Sequence, residues 1–190
     1  MEPRIQYAKT TDGVSIAYWT LGGGTPLVHL FLIANHIQLE WEFEECRHWY
    51  ERLAENRRLV RYDTRGMGLS ERNVTEHSLD AWVLDLEAVV DRLGLEQFAL
   101  LGLMSSGPLA IAYAARHPER VSHLLLWSTF ARGSDWLASP QIRAVRTSFD
   151  ADWTFYTETA ARILLGWSAG EPAQRFAALA RAAWPPDMQP

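Results

Sequence analysis

Apolar and polar positions along this chain switch repeatedly between a period of two and a period near 3.6. Residues 5–10 and 14–20 are β-rich runs separated by Asp12-Gly13, a pair that signals a hairpin because glycine accepts positive φ. Three consecutive glycines, Gly22 to Gly24, read as a loop. Residues 26–33 form a continuous apolar run, the pattern of a strand buried on both faces in a parallel sheet. A helical stretch is expected around 49–55, and 58–62 is another short strand. Ser78 is placed to cap a helix over 79–93, with Trp82, Leu86, Val89 and Leu93 facing the sheet and Gly94 as its stop. Residues 98–101 read as a strand and 102–107 as a turn. Pro108 fits the first turn of a helix that Pro118 ends, and 121–127 reads as a further buried strand. This alternation predicts an α/β fold, a mostly parallel sheet with crossover helices.

From about residue 133 the pattern changes. No convincing strand follows, and helices are expected over 141–148, 153–165 and 172–183, with breaks at Gly166 and Gly170. The expected organisation is a core over 1–132, carrying strands one to six, and a partial helical cap over 133–190.

Composition narrows the classes. With 190 residues, 48% hydrophobic and 22% charged, the chain fits one globular domain. A net charge of −5 without large blocks of one sign gives no reason to expect a nucleic-acid partner. Cys46 is the only cysteine, so an intrachain disulfide is excluded and a cytoplasmic location is expected. The first nine residues lack the apolar core of a signal peptide, and no apolar run reaches the roughly 20 residues of a membrane span. The six histidines are scattered without zinc-site spacing, so neither a metal nor another cofactor is expected.

Three stretches carry a resemblance. Asp63-Thr64-Arg65-Gly66-Met67-Gly68-Leu69-Ser70 fits the pattern Asp-x-Arg-Gly-x-Gly-x-Ser. Ala99-Leu100-Leu101-Gly102 leads into a turn, and residues 108–121 follow as a helix and its exit into a strand. Together these resemble the α/β-hydrolase superfamily. The surroundings of His36 to Trp41 and of Trp153 to Trp167 are similar to hydrolase-like domains fused to bacterial adenylate cyclase or regulatory domains. The resemblance implies that the sheet is truncated before its last two strands, with the triad's acid and histidine missing along with them.

The family's nucleophile sits in Gly-x-Ser-x-Gly on a strained strand-to-helix turn. Gly102-Leu103-Met104-Ser105-Ser106-Gly107-Pro108 stands there in this chain. Aligned without a gap, Met104 takes the nucleophile position and Ser106 the second glycine. A thioether has no proton for a base to remove, so that register closes the activated-nucleophile route. A register slipped by one residue makes Ser105 the nucleophile, with Leu103 in place of the first glycine. Outside that slip, helix N-cap chemistry is the ordinary role for Ser105 and Ser106. The resemblance also implies an oxyanion loop after the third strand, where Phe31, Leu32 and Ile33 replace the usual small residues and crowd the pocket.

Other residues have ordinary readings. His36 is a structural hydrogen-bonding residue beside the presumed pocket, and His117 a helix-end residue. His123 is a packed or edge residue, and Asp135 a helix N-cap or solvated carboxylate. Trp136, Trp153, Trp167 and Trp184 pack the cap. The function expected is a degenerate, non-catalytic hydrolase-fold module serving ligand sensing or scaffolding. Its candidate ligand is a small apolar or acyl molecule bordered by Phe31, Leu32, Ile33, His36, Leu103 and Ser106. The alternative is a serine hydrolase of ester or acyl substrates using Ser105. An open edge at the sixth strand also implies homo-oligomers.

Overall fold

The computed structural model describes residues 2–31, 35–149 and 151–184. A hairpin of β1 (Gln6–Lys9) and β2 (Ser15–Leu21) opens the chain. It is followed by β3 (Thr25–Leu30), α1 (Ile37–Glu42), α2 (Glu44–Ala54), β4 (Arg57–Tyr62) and α3 (Leu79–Arg92). Next come β5 (Phe98–Leu103), α4 (Gly107–Arg116) and β6 (Val121–Trp127). Four helices end the described chain: α5 (Gly133–Leu137), α6 (Pro140–Arg146), α7 (Trp153–Leu165) and α8 (Glu171–Ala183).

The six strands form one sheet in the order β1-β2-β4-β3-β5-β6. β1 and β2 are antiparallel, as are β2 and β4, while β4, β3, β5 and β6 run parallel. Alternate side chains of each strand feed two cores. Val28, Leu30, Val60, Tyr62, Phe98 and Leu100 pack against Leu86, Val89 and Val90 of α3 and Leu109 and Tyr113 of α4. Leu27, Leu59, Ala99 and Leu101 pack against Ile37, Trp41 and Tyr50 of α1 and α2. Helices therefore cover both faces, which is what the continuous apolar runs in β3 and β5 require. A third cluster joins α7 and α8 to the α1–α2 junction through Phe43, Ala161, Phe176 and Ala180.

Two sequence expectations are corrected. The helical stretch expected at 49–55 is longer and double, α1 and α2 meeting at Phe43, because His36 caps a helix that the apolar pattern alone did not announce. β6 exists as expected but is not buried. Leu124, Leu125, Leu126 and Trp127 are 39–56% exposed, because β6 is an edge and no described strand lies beyond it. Among the described residues no helix is long and apolar enough to cross a membrane.

Candidate functional site

The loop after β4 forms one side of the site. Asp63 is fully buried and accepts the backbone N–H of Ile37 (2.9 Å) and of Leu69 (2.8 Å). Its carboxylate thus ties the first turn of α1 to the loop. Burial pushes its pKa up to about 7, with the charge of Glu40 adding to the effect and the two N–H donors and Arg61 opposing it. Gly68 has a φ of +52° and presses so close to the Asp63 carboxylate that a Cβ there would collide with it. Arg65 holds Asp85 through its side chain (2.8 Å) and backbone N–H (2.9 Å), and holds Asp12 of the hairpin at 2.7 and 3.1 Å. Ser70 accepts the Ala17 N–H (2.9 Å) and donates to the Asp63 carbonyl (2.6 Å). The eight-residue motif from Asp63 to Ser70 is therefore a backbone-organising device.

A second buried network lies on the α1–α2 face. Arg61 pairs with Glu40 (2.8 Å), and the Tyr50 hydroxyl donates to Glu40 (2.7 Å); all three are buried. Arg61 also donates to the carbonyl of His29 (2.9 Å). Burial, with Arg61 nearby, lowers the His29 pKa well below the usual imidazole range, so the ring is neutral. His36 accepts the Leu39 N–H on Nδ1 (3.3 Å), the structural hydrogen bond expected of it.

β5 passes into α4 through a single 3₁₀ turn, Met104–Ser106. Met104 has a φ of +51°, one of two described non-glycine residues in the left-handed region, the other being Ser128 at the end of β6. This is the strained strand-to-helix conformation of an elbow. Ser106 lies inside the turn, fully buried. It accepts the Leu103 N–H (2.8 Å), and its proton faces the carbonyls of Leu103 (2.7 Å) and Leu30 (3.0 Å). Here the N-cap expectation is corrected. Ser106 occupies the cap position of α4 but makes no side-chain bond to the helix, because its hydroxyl is turned inward to staple the turn to β3. The Ser105 Oγ is also buried and has no hydrogen-bond partner among the described residues.

Thr129, just past β6, donates to the Met104 carbonyl and approaches Gly107 so closely that a side chain there would strike it. No local sequence signal points to Thr129, since its contact depends on the pairing of β5 with β6. Phe31 and Phe43 flank Phe176 of α8 at ring distances of 6.5 and 6.2 Å. The Gly68 N–H donates to the Ala183 carbonyl (3.2 Å), so α8 is fastened to the loop after β4. Leu32 and Ile33 lie outside the described residues. Leu103 is half-buried between β5 and the turn.

The remaining candidates fall into place as ordinary residues. The His117 Nε2 meets Glu87 Oε1 at 2.8 Å at the end of α4, and His123 is exposed on the β6 edge. Asp135 lies in the first turn of α5 beside Arg132, which is the cap residue, so the N-cap reading of Asp135 is corrected in favour of a solvated one. Trp153 packs with Phe149, Tyr156 and Trp184, and Trp184 also meets Phe149, whereas Trp167 is 69% exposed. Two surface grooves lie along α3, one lined by Tyr7, Lys9, Leu84 and Arg92 and the other by Gly94, Leu95 and Arg120. Neither includes an elbow residue.

A three-layer α/β sheet with a left-handed elbow between its fifth strand and the following helix defines a class of fold, the α/β hydrolase. The model of the α/β hydrolase fold family matches residues 40–175, and the chain belongs to that family. It is similar to the 2-hydroxymuconate semialdehyde hydrolase of Pseudomonas sp. (strain CF600), 43% identical over 75 residues, which cover 39% of this chain and 26% of that protein. It is also similar to the AB hydrolase superfamily protein YisY of Bacillus subtilis (strain 168), 32% identical over 127 residues, 66% of this chain and 45% of that one. Among solved structures it resembles the esterase RhEst1 from Rhodococcus sp. ECU1013. The TM-score is 0.75 at 26% identity, over 95% of this chain and 69% of the esterase. The chain thus spans less than half the length of these two sequence relatives.

Proposed function

We propose that this chain is a hydrolase-fold module in which Met104 stands at the nucleophile position and no ester hydrolysis occurs there. The observation that carries this reading is the φ of +51° at Met104, which marks Met104, not Ser105, as the apex of the elbow. A methionine sulfur carries no proton, so a base placed beside it has nothing to activate. That argument holds whatever residues lie beyond position 190. The relatives named above are hydrolases, but a fold is shared more widely than a chemistry, and chemistry belongs to the site. Two roles are open to such a module, ligand sensing and scaffolding.

One observation favours a second reading. The Ser105 hydroxyl is buried beside the apex without a partner among the described residues, as a side chain awaiting a substrate or a base is. Turnover of p-nitrophenyl acetate and butyrate by wild type, Ser105→Ala and Ser106→Ala separates the two. The proposal expects no turnover above buffer in any of the three. Turnover that disappears in Ser105→Ala, together with fluorophosphonate labelling lost in the same variant, overturns it and makes Ser105 the nucleophile.

A further inference from the structure

We propose that the groove between β1 and α3 is a strand-addition site, which takes an extended acidic segment of a partner protein onto the free border of β1. The groove lies at the end of the sheet opposite β6. The proposal does not depend on the reading of Met104.

Backbone bonding in the hairpin comes first. The Ser15 N–H donates to the Glu71 carboxylate (3.0 Å), and its carbonyl accepts the Glu71 N–H (2.8 Å). The Ala17 N–H donates to Ser70 (2.9 Å), and its carbonyl accepts the Asp63 N–H (2.9 Å). Both residues thus use their backbone groups on the side of β2 away from β1. Their register partners in β1 are Lys9 and Tyr7. Residues directly opposite each other in an antiparallel pair exchange two bonds or none, alternately along the ladder. Tyr7 and Lys9 therefore make none to β2 and turn two N–H and two C=O groups out of the sheet. β1 is the outermost strand, with no described strand beyond it.

These outward groups meet a groove of about 400 Å³, whose walls include Tyr7, Lys9 and Thr11 from the hairpin and Leu84, Ala88 and Arg92 from α3. The three hairpin residues alternate in sequence, as the residues of an open strand border do. Leu84, Ala88 and Arg92 follow one another four positions apart, so they share one flank of α3. The small Ala88 leaves room for a further chain. With Leu84 it gives an apolar floor to alternate side chains of an added strand, while main-chain bonds to Tyr7 and Lys9 hold that strand in place.

Charge selects the occupant. Two carboxylates of α3 beside the groove are already engaged, Glu87 by His117 (2.8 Å) and Asp91 by Arg120 (2.8 Å). Lys9 and Arg92, both exposed, have no ion-pair partner among the described residues. In a chain of net charge −5 the groove therefore offers two uncompensated cations. An acidic segment complements them. A second copy of this chain would bring the same two cations to the contact, which makes it the poorer occupant.

Fluorescence anisotropy of a labelled peptide of alternating valine and glutamate, titrated with the 190-residue chain, tests the proposal. Saturable binding is expected. No binding is expected for a peptide of alternating valine and lysine, or for the glutamate peptide N-methylated on alternate amides, which cannot pair as a strand. Tyr7→Pro removes an outward N–H and leaves the β1–β2 ladder whole, since proline is accepted on the open side of an edge strand. It should weaken binding about tenfold, the effect of one or two hydrogen bonds, with a melt close to that of the wild type. Lys9→Glu combined with Arg92→Glu changes only exposed side chains, so the fold is kept. That variant should lose the glutamate peptide and bind the lysine peptide at low salt. No saturable binding of the glutamate peptide, equal binding of its N-methylated form, or binding that the double glutamate variant retains overturns the proposal. Dimers of the chain alone that Tyr7→Pro abolishes would give the border to a second copy and overturn it as well.

Discussion

At the scale of single residues, backbone strain concentrates in the turn between β5 and α4. Met104 keeps the left-handed backbone and lacks the hydroxyl. A residue other than glycine held there costs of order 1–3 kcal/mol, which the surrounding structure must offset. Met104→Gly should therefore be neutral or raise the melting temperature. Met104→Val, whose branched Cβ is least compatible with positive φ, should lower stability by about 1–2 kcal/mol. Chemical denaturation of the two variants checks the order. Equal destabilisation by both would place the effect in lost side-chain packing. Ser106 is the complementary case. Its hydroxyl serves three backbone groups in a buried turn, so Ser106→Ala should cost about 1–3 kcal/mol by leaving the Leu103 N–H unpaired. The turn itself was legible from the spacing between Gly102 and Pro108. The inward turn of Ser106 was not, because one acceptor is Leu30, 76 positions away on a neighbouring strand.

At the scale of elements, buried charge fixes how helices and loops meet the sheet. Arg61 on β4 and Glu40 on α1 are both fully buried. Removing one partner strands the other, so Glu40→Ala should destabilise by about 3–5 kcal/mol. Replacing the pair with Arg61→Met and Glu40→Leu should recover much of that loss. Urea melts of the single and double variants test this, and additive losses would deny the coupling.

Asp63 makes stability depend on pH in a definite direction. Its folded pKa, about 7, lies above the 3.8 of the unfolded chain, so the native state binds the extra proton. The stabilising contribution is present below about pH 4 and is lost as pH rises through about 7. Asp85, raised to about 6 chiefly by burial, acts in the same sense. Asp12, lowered to about 2 by its Arg65 contact, acts oppositely but only in strong acid. The melting temperature should therefore fall between about pH 4 and 7, and less steeply in Asp63→Asn. The asparagine variant should also melt lower throughout, since its one carbonyl oxygen replaces two acceptors. An unchanged slope would place the titration elsewhere. The motif from Asp63 to Ser70 was visible in the sequence. Its partners Asp12, Asp85 and Ile37 were not, because they arrive from the hairpin, α3 and α1 only once the sheet is assembled.

At the scale of the whole molecule, hydrophobic period was enough to place all six strands and most helices. The alternation of strand and helix gave the parallel centre of the sheet. What it misjudged was β6. A continuous apolar run reads as a strand covered on both sides, but cover comes from neighbouring elements, and the pattern within a strand does not report them. The same limit explains α5, a single short turn of helix with no buried residue.

The bond from the Gly68 N–H to the Ala183 carbonyl ties the end of α8 to the loop that Asp63 organises. Fraying of that helix and exposure of that loop are therefore one event, so the amide of Gly68 should exchange with solvent only as often as α8 lets go.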